Sequence, residues 1–127
     1  MAVHRIRLHG PWEVRPDGDA PAGRMTVPGA LRDGGWAGFA GPVSFYRRFG
    51  RPSNLTDGES VWLVFERVIG RAEVRVNKQG LGALNGSGSF ELTECLEPRN
   101  LLQVLVEAAD DGCGIVGDVW LEIRPAR

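Results

Sequence analysis

The sequence has only two cysteines, no long apolar run and almost no excess of either charge, and each shortage excludes a class of protein. Cys95 and Cys113 match no metal-binding spacing and form no C-x-x-C motif. Reduced thiols are therefore the simpler interpretation, with a disulfide as the alternative. No segment approaches the roughly 18 apolar residues that cross a bilayer, and residues 1–10 carry charges where a signal peptide has its apolar core. We expect a cytoplasmic, soluble protein with no membrane partner.

The charge balance excludes the usual signature of a nucleic-acid-binding protein. Fifteen Lys and Arg residues against sixteen Asp and Glu residues give a net charge of −1, and no basic run is longer than Arg47-Arg48. Nucleic-acid-binding domains normally carry a basic patch or stripe, so no nucleic-acid partner is predicted. A length of 127 residues with 43% hydrophobic and 24% charged residues fits one globular domain with a substantial core, residues 1–127.

The sequence contains short segments in which apolar and polar residues alternate with a period of two. Residues 71–77, 102–108 and 119–123 follow this pattern, which is typical of half-buried antiparallel strands. Val61–Phe65 is apolar on both faces, which predicts a central strand covered on both sides. Further strands are predicted at residues 5–8, 12–15, 25–27 and 43–49. Eight to ten short strands and no helical periodicity predict an all-β, antiparallel β-sandwich of jelly-roll type.

Motifs of catalysis and cofactor binding are scarce. The sequence has no Walker motif, G-x-S-x-G or H-E-x-x-H, and residues 80–85 lack the third glycine of a dinucleotide fingerprint and are interpreted as a glycine-rich hairpin. No cofactor is predicted. The one candidate for a metal is a structural calcium ion at Asp110-Asp111-Gly112, and this is a weak signal because calcium needs six to eight oxygen ligands.

Carbohydrate binding has a clearer physical basis in this sequence. Sugars present apolar C–H faces that stack on aromatic rings, and hydroxyl groups that bind planar carboxylate, amide or guanidinium groups. The long glycine-rich loop 29–42 carries Trp36 and Phe39, which either pack on the sandwich or contact a ligand. Trp120 has the polar parity of its strand, whereas Trp12 and Trp62 are predicted to lie in the core.

Arg47 is the main polar candidate because it is in phase with Phe45 and Phe49 on an otherwise apolar face. A buried arginine requires a partner, and Asp118 at the start of the last strand is the predicted one. This pair has two interpretations, a structural salt bridge or the polar lining of a sugar site.

A series of motifs, taken in order, resembles a known domain. The series is LHGPW (8–12), VPG (27–29), GPVSFYRRF (41–49), VWLVFERV (61–68), AEVRVN (72–77), GLG (80–82), FELT (90–93), NLLQV (100–104) and GIVGDVWL (114–121). It resembles the N-terminal sugar-binding domain of glycoside hydrolase family 2, the β-galactosidase and β-glucuronidase family. The resemblance implies a galactose-binding-domain-like jelly roll.

The resemblance also implies what the domain does. In the family, catalysis belongs to glutamates of a TIM barrel, which 127 residues of sandwich do not contain, so no enzyme activity is expected. Asp118 matches an aspartate that β-galactosidases place at the edge of the active site. Gly117 stands where the family often has Arg, and residues 29–45 lack the asparagine that some members contribute.

These observations lead to a hypothesis and an alternative. The hypothesis is a stand-alone, non-catalytic carbohydrate-binding β-sandwich, with Trp36 and Phe39 as stacking platforms and Arg47 and Asp118 as polar anchors. The alternative is a protein-interaction module that forms a homo-oligomer or docks to a separate catalytic chain.

Overall fold

The computed structural model describes residues 3–125, which form nine β-strands and one short 3₁₀ helix. The strands are β1 (His4–Arg7), β2 (Gly10–Pro16), β3 (Gly23–Val27), β4 (Gly41–Gly50), β5 (Ser60–Val76), β6 (Gln79–Glu91), β7 (Arg99–Ala108), β8 (Gly114–Ile115) and β9 (Val119–Arg124). The helix η1 spans Leu31–Gly34. Within residues 3–125, no helix has the length and apolarity needed to span a membrane.

The long strand β5 converts one continuous antiparallel sheet into a sandwich. It pairs with β9 through residues 60–65 and with β7 through residues 71–76, in the order β1-β9-β5-β7-β4-β2-β3. Both β6 and β8 also pair with β5. Between the two halves of β5, Gly70 has a φ of +112°, and a Cβ there would lie 2.8 Å from Cγ1 of Val106. Glycine therefore permits both the bend and the close approach of β7.

The core lies between the two layers and consists of the inward-facing residues of the alternating strands. Along β7, the even-numbered residues from Asn100 to Ala108 are buried and the odd-numbered ones are partly or fully exposed. The largest fully buried side chains are Trp12, Phe45, Phe65, Leu31, Leu63, Leu92, Leu102, Ile115 and Leu121. The predicted all-β, antiparallel jelly-roll sandwich is confirmed.

Two strand predictions differ from the structure. Residues 61–65 and 71–77 were predicted as separate strands, but they belong to one bent strand, because the Gly70 bend preserves pairing on both sides. Residues 79–91 form one strand of thirteen residues, whereas only a glycine-rich hairpin at residues 80–85 was predicted from the sequence. Four glycines lower the strand propensity of this segment, and pairing with β5 overrides that preference.

The prediction for the first half of β5 is wrong in one respect. Val61, Leu63 and Phe65 are buried as expected, but Trp62 and Val64 are only half-buried, on the outer face of the sheet. The outer face of this layer is therefore not covered completely, and it carries a tryptophan that was assigned to the core. Trp12, assigned to the core as well, is fully buried.

Both cysteines are free thiols, as the simpler interpretation predicts. Cys95 is half-buried and Cys113 is buried. Burial raises the pKa of the Cys95 thiol above its ordinary value, although a backbone hydrogen bond opposes this. Cys95 therefore does not belong to the reactive, exposed type of thiol with a lowered pKa.

Candidate functional site

The long loop 29–42 is ordered by its two aromatic side chains. Trp36 is only 7% exposed, and its indole N–H donates to the carbonyl oxygen of Pro21 at 2.8 Å. Its ring packs so closely on Gly23 that a Cβ there would lie 3.3 Å from the indole. Phe39 is half-buried against the edge of the core. Trp36 is thus a packing residue, and the structure does not present its ring as a stacking platform.

The predicted ion pair between Arg47 and Asp118 is wrong. The Arg47 guanidinium donates through Nε and Nη2 to the carbonyl oxygen of His9 at 3.3 and 3.1 Å. Asp118 instead accepts from Nη2 of Arg7 at 2.9 Å. The reason is topological: Arg47 lies on β4, and β7 and β5 separate this strand from β9, which Asp118 immediately precedes.

The four predicted site residues therefore do not meet at one place, but Asp118 lies beside a different aromatic group. Its partner Arg7 is opposite Trp120 in the register of β1 and β9. On the next strand, Trp62 is opposite Glu122. We define the tryptophan face as the outer surface formed by Trp62, Trp120, Glu122, Arg5 and Arg124.

The strand register sets the geometry of the tryptophan face. Because Trp62 pairs with Glu122 and Trp120 pairs with Val64, the two tryptophans are diagonal neighbours on adjacent strands. The Cα atoms of such neighbours are typically about 7–8 Å apart. The guanidinium carbon of Arg124 lies 4.1 Å from the ring centre of Trp62, and that of Arg5 lies 4.9 Å from the ring centre of Trp120. The face therefore alternates flat aromatic rings with planar cations.

Glu122 lies at the centre of this face and binds both arginines. Its carboxylate accepts from Nε of Arg124 at 2.9 Å and from the indole N–H of Trp120 at 3.3 Å, and Nε of Arg5 lies 3.3 Å away. Burial raises the pKa of Glu122, but the hydrogen bonds from Arg124 and Trp120 and the two positive charges outweigh burial and lower it. Glu122 is consequently ionised near neutral pH and forms ion pairs with both arginines.

This surface presents the two kinds of group that sugars require. The tryptophan rings offer apolar area for C–H faces, and the guanidinium and carboxylate groups offer planar partners for hydroxyls. Sequence reasoning gave Trp120 the correct parity but placed Trp62 in the core, because Val61–Phe65 is apolar throughout. The signal that identifies Trp62 is parity: it is out of phase with Val61 and Leu63.

The acidic loop considered for calcium is held by hydrogen bonds from the chain itself. Asp110 Oδ1 accepts from the backbone N–H of Gly112 at 2.8 Å, and Asp111 Oδ2 accepts from that of Gly38 at 2.8 Å. Nη1 of Arg32 lies 3.8 Å from Oδ1 of Asp111. Among the described residues, no group of three or more His, Cys, Asp or Glu side chains could hold a metal ion. The calcium site stays a prediction.

The described residues define an antiparallel jelly-roll domain, and comparison with solved structures gives the particular version of this fold. It is the version found in the N-terminal part of family 2 β-glucuronidases and β-galactosidases, so the resemblance seen in the sequence is confirmed for the fold. The β-glucuronidase of Bifidobacterium dentium, complexed with coumarin-3-O-glucuronide, matches with a TM-score of 0.85 at 23% identity over 98% of this chain and 30% of that chain.

Two further structures show the same likeness. A β-glucuronidase from an uncultured Clostridium species gives a TM-score of 0.84 at 20% identity, over 98% of this chain and 29% of that one. A Bacteroides fragilis protein described as a putative β-galactosidase gives a TM-score of 0.79 at 19% identity, over 97% of this chain and 22% of that one. No protein-family model and no curated protein matches the sequence. The chain thus spans less than a third of each glycosidase, and residues 3–125 contain the jelly roll without a catalytic barrel.

Proposed function

We propose that this protein is a non-catalytic carbohydrate-binding domain and that the tryptophan face is its binding surface. The observation that carries the proposal is the pair of half-buried tryptophans on adjacent strands of the outer face, with Glu122 beside them and an arginine over each ring. The fold neighbours, two β-glucuronidases and a protein described as a putative β-galactosidase, support a carbohydrate as the ligand class. Asp118, held by Arg7 beside Trp120, extends the polar edge of the surface.

Access to the rings requires the arginines to move, and the energy of this movement is small. The side chain of Arg5 is 62% exposed and that of Arg124 is 38% exposed. Moving either arginine breaks an exposed cation–π contact, which contributes about 0.5–1 kcal/mol, and its ion pair with Glu122, which contributes about 0–1 kcal/mol at the surface. A sugar that stacks on the ring replaces this contact and keeps the guanidinium group as a hydroxyl partner. An outer sheet face, unlike an enclosed pocket, favours an extended saccharide chain over a single sugar.

The test combines binding with tryptophan fluorescence. Galactose, glucose, mannose and neutral oligosaccharides are titrated against the wild-type protein and against Trp62→Ala and Trp120→Ala. We expect saturable binding to at least one oligosaccharide and a loss of about tenfold or more in each variant, since each removes a stacking surface. Trp12 and Trp36 are buried, so a spectral change on binding reports on the other two tryptophans.

Tyr46→Ala is the matched control. Tyr46 is a half-buried aromatic residue on the outer face of the other layer, and its ring lies 5.4 Å from the guanidinium carbon of Arg15. It reproduces the arginine-covered geometry without belonging to the tryptophan face, so its affinity should equal that of the wild type. Equal losses in all three variants, or binding that survives removal of both tryptophans, would overturn the assignment.

The proposal includes an absence of hydrolysis and a cytoplasmic location. Chromogenic galactosides and glucuronides should not be hydrolysed, because the described residues do not form the barrel that carries catalysis in the family. The free thiols of Cys95 and Cys113 fit a reducing compartment.

The tryptophan face also suits the alternative function, since Trp and Arg are enriched at protein interfaces. Light scattering measures the oligomeric state and so decides between the two functions. The interaction module is favoured if the wild-type protein binds no saccharide and forms a dimer, and if Trp120→Ala dissociates that dimer.

A further inference from the structure

A second surface, which shares no residue with the tryptophan face, is a groove lined by cations. Its volume is about 1010 Å³, and its walls are formed by the ends of β4 and β7 and by the turn between β5 and β6. Arg47, Arg48, Lys78 and Arg99 line it, and Glu97 is the one acidic residue among its ten described lining residues. None of the four cations forms a salt bridge within residues 3–125. The groove is thus strongly positive in a protein of net charge −1.

The floor of the groove is rigid because two asparagine side chains join its segments. Oδ1 of Asn100 accepts from Nδ2 of Asn77 and from the backbone N–H of Glu97, both at 2.8 Å. Nδ2 of Asn100 donates to the carbonyl oxygens of Glu97 at 2.9 Å and of Phe49 at 3.3 Å. These bonds hold the end of β4, the β5–β6 turn and the start of β7 in place. The backbone positions from which the cations extend are therefore fixed before any ligand arrives, which lowers the entropy cost of binding.

Arg47 is a fixed charge whose hydrogen-bond partners do not neutralise it. Its guanidinium group donates to the carbonyl oxygen of His9 and to that of Arg48. Carbonyl oxygens satisfy the donors but carry no net charge. The positive charge of this residue consequently remains available to an anion in the groove.

Lys78 occupies a backbone position that favours glycine. Asn77 and Lys78 are the central residues of the turn between β5 and β6, with φ values of +52° and +70°. Such turns favour Asn-Gly, because glycine adopts positive φ without a steric penalty. The sequence has Asn-Lys instead, so a cation stands at the rim where backbone geometry alone would select glycine.

We infer that this groove binds an anionic saccharide through its carboxylate or sulfate groups. Two of its four cations, Arg48 and Arg99, can offer forked N–H groups, which match two-oxygen anions better than a lysine ammonium does. Arg47 contributes positive charge only, because its own N–H groups donate to the carbonyl oxygens of His9 and Arg48. Nucleic acid fits less well, because Phe49, the aromatic residue of the lining, is 8% exposed and gives bases no ring on which to stack. The inference goes beyond the proposed function, since it concerns a different site and does not require the tryptophan face to bind sugar.

The test measures binding of four ligands by isothermal titration calorimetry at 50 and 200 mM salt. The ligands are an oligogalacturonate, a sulfated dextran oligosaccharide, the unmodified dextran oligosaccharide and a single-stranded oligothymidylate. We expect one or both anionic saccharides to bind, with the neutral one at least about tenfold weaker and with affinity falling as salt rises. A tighter oligogalacturonate identifies carboxylate as the recognised group, and a tighter sulfated dextran identifies sulfate.

Three variants separate a built site from general charge attraction. Arg48→Gln combined with Arg99→Gln should weaken binding at least about tenfold. Lys78→Gly should weaken binding while the melting temperature stays equal or rises, because glycine relieves the backbone strain. Arg71→Gln is the control, since Arg71 is exposed on β5, lines no part of the groove and forms no salt bridge among the described residues.

Four results overturn the inference. They are the absence of anion binding, equal binding of the neutral oligosaccharide, a loss in Arg71→Gln equal to that of the double variant, and tighter binding of the oligothymidylate than of both anionic saccharides. Trp120→Ala is measured in parallel. If this variant still binds the anionic saccharides, the groove binds them without the tryptophan face, and the two proposals are tested separately.

Discussion

Replacing Asn100 with alanine should unfold the protein at a markedly lower temperature, because this side chain is a buried centre of hydrogen bonding. Asn100 is 3% exposed and is the one buried polar residue among residues 3–125. Its amide makes four hydrogen bonds that join three segments of the chain. Within the described residues, no buried side-chain nitrogen or oxygen lacks a partner, so the variant changes a fully satisfied network into an unsatisfied one.

The magnitude follows from the groups that lose their partner. A hydrogen bond contributes about 0.5–1.5 kcal/mol on average, and a buried donor or acceptor left unpaired costs about 1–3 kcal/mol. Water reaches some of these part-buried groups, so a total loss of about 3 kcal/mol is expected for Asn100→Ala. For a domain of this size, this loss corresponds to a decrease in melting temperature of roughly 10 °C.

The assay is urea denaturation followed by circular dichroism, with thermal melting as a second measurement. Asn85→Ala is the control, because Asn85 is exposed and lies in β6. An exposed substitution of this kind should change the free energy of unfolding by less than about 0.5 kcal/mol. If Asn100→Ala loses no more stability than Asn85→Ala, the account of this network is incorrect.

Three other predictions test the bend, the tryptophan face and the thiols. Gly70→Ala should lose about 2–5 kcal/mol of stability, since the added Cβ meets Val106 at 2.8 Å in a left-handed backbone; Gly80→Ala, where nothing lies within 4 Å, is the control, and equal losses would contradict the bend. The folded-state pKa of Glu122 is lowered from its ordinary value of about 4.5, so its stabilising contribution is present above that pH and is lost as the pH falls through the lowered pKa; urea midpoints between pH 7 and 3 should fall less in Glu122→Gln, and parallel curves would refute this. Cys95 should react more slowly than free cysteine with a thiol reagent at pH 7 and faster as the pH rises, because burial raises its pKa; a rate equal to that of free cysteine would refute the burial argument.

The fold was predictable because, in most strands, the alternation of apolar and polar residues indicates which side chains face the core. In β7, Leu102, Val104, Val106 and Ala108 alternate with Gln103, Leu105 and Glu107, and the structure buries every second residue from Asn100 to Ala108. β6 was not predictable in the same way. Its glycines give little β-propensity and little alternation, and the strand exists because β5 offers a partner along its length. Pairing between distant segments is information that local patterns do not carry.

The candidate site was less predictable than the fold because it depends on strand register. Trp62 and Trp120 are 58 positions apart in sequence, and they become neighbours only through the pairing of β5 with β9. The same pairing brings Glu122 opposite Trp62. Sequence parity assigned Trp120 to an outer face but could not tell which residues share that face. The predicted partner of Arg47 was also wrong: the guanidinium group donates to the carbonyl oxygen of His9, whereas Asp118 pairs with Arg7.

The closure of the long loop explains why binding is proposed on a sheet face and not at the loop ends. The backbone N–H groups of Gly29 and Leu31 donate to the carbonyl oxygens of Ile115 and Cys113 at 2.8 and 2.9 Å. A Cβ at Gly114 would lie 3.0 Å from the carbonyl oxygen of Gly29. A ligand cannot enter between these segments without breaking backbone hydrogen bonds, and Trp36 fills the space beneath the loop. Aromatic area is therefore accessible on the outer face of the β1-β9-β5 layer, where Arg5 and Arg124 cover the tryptophan rings only by movable contacts.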